Sequence, residues 1–182
     1  VSLNMLAMPW LATGIFVYQS FISESKMWSV YTIPKAFMVY SMTSIATLLM
    51  SGFLVDKFTG RKLILYMNIP LLVAMFILFQ FSSEMSAYIF LGLIGISNSL
   101  ANILGSSTWA EIYGVKYIGS IKALTTAFMV FSTAFGTAVF GLLIDNGFTI
   151  ENIAFVGGSY IVLSLALLVI FRKTIEPVKI AN

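Results

Sequence analysis

The sequence predicts an all-α membrane protein of six transmembrane helices arranged as two inverted three-helix repeats. Composition is the first reason: 59% of residues are hydrophobic, 9% are charged and the mean hydropathy is +0.98, whereas about a quarter of the residues of a soluble domain are charged. The second is the spacing of charge, which leaves uncharged runs over 1–23, 36–55, 63–83, 85–110, 123–144 and 152–171. Each run reaches the ~20 residues that a spanning helix needs. The third is internal similarity, because Gly52-Phe53-Leu54-Val55-Asp56 recurs as Gly141-Leu142-Leu143-Ile144-Asp145. A transmembrane β-barrel would need strands of roughly ten residues with alternating polarity, and no such alternation occurs.

Taken in order, the spans cover about 1–23, 30–55, 63–83, 86–109, 122–144 and 152–171, followed by a tail over 172–182. The first is read as a span and not a cleaved leader, since five more apolar segments follow it. Pro34 suits the first turn of the second helix, because its missing N–H has no partner there in any case. The chain begins with Val1 inside apolar sequence, which suggests a piece of something longer.

Lys and Arg mark the cytoplasmic loops of a multi-pass protein. Lys57, Arg61 and Lys62 lie in the second loop, Lys116 and Lys122 in the fourth, and Arg172, Lys173 and Lys179 in the tail. The opposite loops carry Glu24, Lys26, Glu84, Asp145 and Glu151. Both chain ends are therefore expected in the cytoplasm of a cell that holds the protein in its plasma or inner membrane. The net charge of +3 follows from topology; the basic residues flank membrane exits and form no soluble patch of the kind that binds nucleic acid.

The two copies of the Gly-to-Asp segment end the second and fifth spans and lie 89 residues apart, close to half of the 182-residue chain. Three spans per repeat invert the second copy, so only the first faces the cytoplasm. Inverted repeats are a common plan of secondary transporters, which expose a central site to alternate sides.

Gly52, Asp56, Lys57, Gly60, Arg61 and Lys62 resemble the loop signature of the major facilitator superfamily, with Phe58-Thr59 as a spacer one residue longer than the commonest form. Trp109-Ala110-Glu111-Ile112-Tyr113-Gly114, followed by Gly119 and Lys122, is similar to the segment between helices ten and eleven of that family. The resemblance spans all six segments and implies the C-terminal half of a permease, a major-facilitator-like half bundle. It further implies a small-molecule substrate, an organic anion by likeness of the fourth loop, and an N-terminal six-helix half of the same carrier as partner, or a second copy in its place. The rival expectation is a six-helix channel or non-transporting scaffold that self-associates in the bilayer.

Gly52, Asp56, Lys57, Gly60 and Arg61 form the candidate cytoplasmic latch. A carboxylate at a helix end can bond the free N–H groups of a neighbouring helix and pair with Arg61 or Lys57; contacts made in one conformation alone bias the equilibrium between inward- and outward-open states. The simpler reading is that these charges only enforce topology.

Polar residues inside lipid usually face a bundle interior or water. In the fourth span Gly92, Gly95, Asn98, Ser99, Asn102, Gly105 and Ser106 share one helical face. The second contributes Tyr40, Ser44, Thr47 and Ser51, the fifth Thr125, Met129, Ser132 and Gly136, the first Trp10, Gly14 and Tyr18. Tyr18, Tyr40, Ser44, Asn98, Asn102 and Ser132 are the substrate-path candidates, against the competing reading that such residues serve close helix packing. The third and sixth spans lack a polar stripe and are expected to face lipid. Lys35 is a weaker candidate: it projects about 140° away from Tyr40 on a regular helix and can snorkel to the interface.

Chemistry is bounded by absences in the sequence. With no Cys and no His, there is no disulfide, thiol nucleophile, His-ligated metal or His acid/base catalyst, and the chain reads as neither an enzyme nor a cofactor protein. No phosphate-binding Gly-x-x-x-x-Gly-Lys-Ser/Thr loop occurs, so any transport is secondary.

Overall fold

A computed structural model of the chain describes residues 1–171; the predicted tail, with Arg172, Lys173 and Lys179, lies outside them. The described residues are helical and contain no strand. The helices are α1 (Ser2–Val17), α2 (Gln19–Ser25), α3 (Thr32–Phe58), α4 (Gly60–Leu63), α5 (Ile69–Gln80), α6 (Glu84–Tyr113), α7 (Ile118–Asp145) and α8 (Ile150–Ile170).

Four of them, α3, α6, α7 and α8, are each long and apolar enough to cross a membrane alone, and α1 and α2 meet the same test together. The protein is thus a membrane-embedded, multi-pass helical bundle. Their ends follow local chemistry. Ser83 accepts a bond from the Ser86 N–H at the start of α6, with Glu84 in the first turn, and Thr149 accepts from the Asn152 N–H at the start of α8, with Glu151 in the first turn. Both arrangements satisfy an orphan N–H and set a carboxylate at the positive helix end. Gly114 at φ 76 and Gly147 at φ 78 end α6 and α7 in backbone open to glycine.

Two expected spans differ from straight helices. The first bends by 69° between α1 and α2, at Tyr18, whose ring stacks on Phe140 with centroids 6.3 Å apart. The third is broken into α4, a turn over 64–68, and a 12-residue α5. Pro70 explains the break, since it lacks an N–H and its ring excludes the carbonyl four residues earlier, so a helix can start at Ile69 but not run through it. The turn is tolerated because side chains satisfy it: Asn4 donates to the Ile64 carbonyl at 3.1 Å, and Ser97 to the Met67 carbonyl at 3.1 Å. Asn68, fully buried, donates back to the Asn4 carbonyl at 2.6 Å. Irregular backbone inside a membrane protein persists where protein buries and bonds it.

Packing is selective. The largest interfaces join α3 with α6, α1 with α7, and α5 with both α6 and α8, while α1 also touches α8. Glycines set the closest approaches: a Cβ on Gly95 of α6 would lie 2.5 Å from the Tyr40 carbonyl of α3. One on Gly136 of α7 would overlap the backbone of Trp10 in α1. Of the four long helices α6 is the most buried and α3 the least, with α7 next. The open face of α3 carries Met38, Met42, Ile45, Leu49 and Phe53, and that of α7 carries Leu124, Phe128, Phe131, Phe135 and Leu142.

Candidate functional site

The connections gather at two ends. At one, Trp28 donates its indole N–H to the Ser82 carbonyl at 2.9 Å, the Ser29 N–H reaches Glu84 Oε1 at 3.1 Å, and Lys26 Nζ pairs with Glu151 at 2.7 Å. The loops after α2, α5 and α7 therefore share an end, which is called the acidic end after Glu24, Glu84, Asp145 and Glu151. The loops after α3 and α6 meet at the other, the basic end, which holds Lys57, Arg61, Lys62, Lys116 and Lys122. This alternation is the one read from the charges.

At the basic end the central group is Glu111, in the last turn of α6. Its Oε1 accepts the Gly60 N–H at 2.6 Å, and its Oε2 accepts the Arg61 N–H at 3.1 Å and the Arg61 Nε–H at 3.3 Å. One carboxylate thus caps the first turn of α4 and neutralises its arginine. Hydrogen bonds to an ionised acceptor are roughly twice as strong as neutral ones. The contact demands glycine at position 60, where a Cβ would lie 2.5 Å from Ser107 Oγ. Thr59 delivers the chain to it at φ 68, a conformation that a β-branched residue rarely adopts.

Of the candidate latch residues, Gly60 and Arg61 are therefore brought together, by Glu111. Gly52, Asp56 and Lys57 are exposed at the end of α3. No hydrogen bond or ion pair among the described residues involves the Asp56 carboxylate, and Lys57 lies over the Phe58 ring at 5.4 Å. Glu111 is the residue that sequence reasoning passed over as a site member. Its signal was a carboxylate two residues before the end of α6, but its partner lies 50 positions away.

The mid-helix candidates divide. Ser44 donates to the Gly95 carbonyl at 3.1 Å and its own carbonyl accepts from Ser99 at 2.8 Å, while Thr43 donates to the Gly92 carbonyl at 2.9 Å. Ser132 donates to the Leu6 carbonyl at 3.2 Å across α7 and α1. These hydroxyls stitch helices together, as the packing reading expected. Asn98 and Tyr40 bond each other at 2.9 Å and remain half-buried, and Asn102, one turn on, is exposed and donates to the Asn98 carbonyl at 2.9 Å. They form the one interhelical polar pair of the candidate set with side chains still reachable. Tyr18 sits at the bend with its hydroxyl over Gly141. Lys35 is exposed in the first turns of α3, apart from the Tyr40–Asn98 pair.

Comparison of the chain with protein-family models, with curated proteins and with solved structures finds no match.

Proposed function

We propose that this chain is a six-span half of an alternating-access secondary carrier of the major facilitator type, moving a small solute with both chain ends in the cytoplasm. The observation that carries the reading is the crossed pairing of helices. Numbering the spans one to six, with α1–α2 as the first and α4–α5 as the third, the main pairs are two with four, one with five, three with both four and six, and, more weakly, one with six. Exchanging the first three spans for the last three turns one–five into four–two and leaves three–six in place. Three–four becomes six–one, a smaller contact, so each of these pairs has a counterpart of the kind expected of an inverted three-plus-three repeat, which supports the reading.

Two further features support it. The Glu111 contact with Gly60 and Arg61 is the type of helix-end tie expected of a conformational latch, and Asp56 stands free beside it. The least buried faces, on α3 and α7, are what a second six-helix half, or a second copy, would cover.

The decisive experiment is Asp56→Asn in the whole carrier. Uptake falls by at least tenfold while the level in the membrane stays near normal, because the substitution removes a charge that is solvent-exposed in this structure. Unchanged uptake would reduce Asp56 to a marker of topology, and absence of any uptake by the unsubstituted protein would return the chain to the scaffold or channel reading.

A further inference from the structure

The acidic end contains a cavity, polar along one wall and apolar along the other, that the transport reading does not use. Met27 adopts φ 54, in the left-handed region. Its side chain points outward, 92% exposed, and both neighbours turn inward, Lys26 onto Glu151 and Trp28 onto the Ser82 carbonyl. The Trp28 backbone N–H donates to the Ser23 carbonyl at 2.9 Å, which ties this stretch of chain to α2.

Trp28 thereby becomes one wall of a cavity of about 310 Å³ between α2 and the first turn of α3. That volume is at the small end of the range for small-molecule sites. The α2 wall consists of Gln19, Ser20, Ser23 and Glu24, whose spacing of one, four and five residues places them on one helical face. Across this end the side-chain bonds are those of Lys26, Trp28 and Glu84, with Ser83 and Thr149 capping α6 and α8. None involves these four side chains, so an amide, two hydroxyls and a carboxylate line the cavity with their bonding capacity free. Glu24 is the only charge in the lining. Lys26 is neutralised by Glu151, and Lys35, though next in sequence to Pro34 of the lining, is not part of it.

The geometry points to a binding site for a small organic ammonium ion at the acidic end, with Glu24 as counter-charge, the Trp28 indole as the aromatic surface and the α2 amide and hydroxyls as partners for a ligand hydroxyl. An aromatic ring attracts a cation through its quadrupole and most strongly where water is partly excluded. A carboxylate in the wall repels anions, and the surrounding loops add Glu84, Asp145 and Glu151 against Lys26 and Lys35.

Choline chloride titrated into the purified full chain, followed by calorimetry, tests this. Choline binds with a Kd in the millimolar range, Glu24→Gln weakens it at least tenfold, and sodium acetate neither binds nor competes. Glu24 is exposed, so the variant keeps its fold, and Ser23→Ala provides a milder second variant that weakens binding about threefold. Absence of choline binding, equal binding by Glu24→Gln, or binding of acetate or glycerol in place of choline each overturns the assignment. The readout is equilibrium binding and needs no flux, so failure of the carrier reading leaves the result interpretable.

Discussion

At the acidic end, Lys26 reaches Glu151 at 2.7 Å with its own side chain 1% exposed, and Glu151 is 39% exposed. At the basic end, Arg61 meets Glu111 at 3.3 Å with side chains 30% and 25% exposed. The first is a point contact holding a buried ammonium, and the second is a half-solvated ion pair backed by two backbone N–H groups. A buried charge left without its partner is costly, while an exposed pair adds little beyond its hydrogen bonds. By this measure the ion pair of the acidic end is the costlier to break, and that of the basic end the more dependent on its backbone hydrogen bonds.

The largest effect that separates the two ends is Glu151→Gln. It strands the Lys26 ammonium and costs about 3 kcal/mol, the low end for a broken buried pair because Glu151 itself is partly solvated. Thermal unfolding in detergent shows the loss as a melting temperature lowered by several degrees. The double variant Lys26→Met, Glu151→Gln recovers most of it, since no charge remains to be stranded. A null effect of the single variant would mean that water reaches Lys26 and that the two ends are alike.

Glu111→Ala comes next, at about 2 kcal/mol for a lost ionised acceptor. It acts locally: amide exchange of Gly60 to Leu63 speeds up by roughly thirtyfold, while exchange in α5 and α8 is unchanged. A spread of the effect through the bundle would assign Glu111 a general structural role instead of a local one. The smallest effect has the opposite sign. Thr59→Gly relieves the φ 68 backbone and stabilises the basic end by about 1 kcal/mol, read as slower exchange over the same residues. Destabilisation would show that Thr59 contributes contacts worth more than its strain.

The helical class, the long spans and the sorting of loops into a basic and an acidic end were legible because they depend on composition and on where charge interrupts apolar runs. The break over 64–68 was not, although Pro70 stood in view. An apolar run around proline reads as one span unless Asn4 and Ser97 are known to bond the freed carbonyls, and those partners come from other helices. The same limit applies to the polar stripes. Ser44 and Ser132 lie on the faces read from the sequence, yet periodicity alone does not distinguish a hydroxyl that bonds a neighbouring carbonyl from one that waits for a solute. Glu111 was visible as a residue but not as a cap, because the N–H groups it binds become available only when Thr59 breaks α3 from α4.

The shortness of α5 reaches beyond the protein. Twelve residues rise about 18 Å, against a hydrocarbon layer of about 30 Å, and the flank where α5 packs on α8 exposes Val73, Phe76, Phe79, Phe155 and Val162. Beside it α8, with 21 residues, is long enough to cross that layer alone. Lipid on this flank therefore meets a full-length helix next to a short one, and the depth that α5 does not cover falls to the turn over 64–68, whose Ile64 and Met67 carbonyls are already bonded by Asn4 and Ser97.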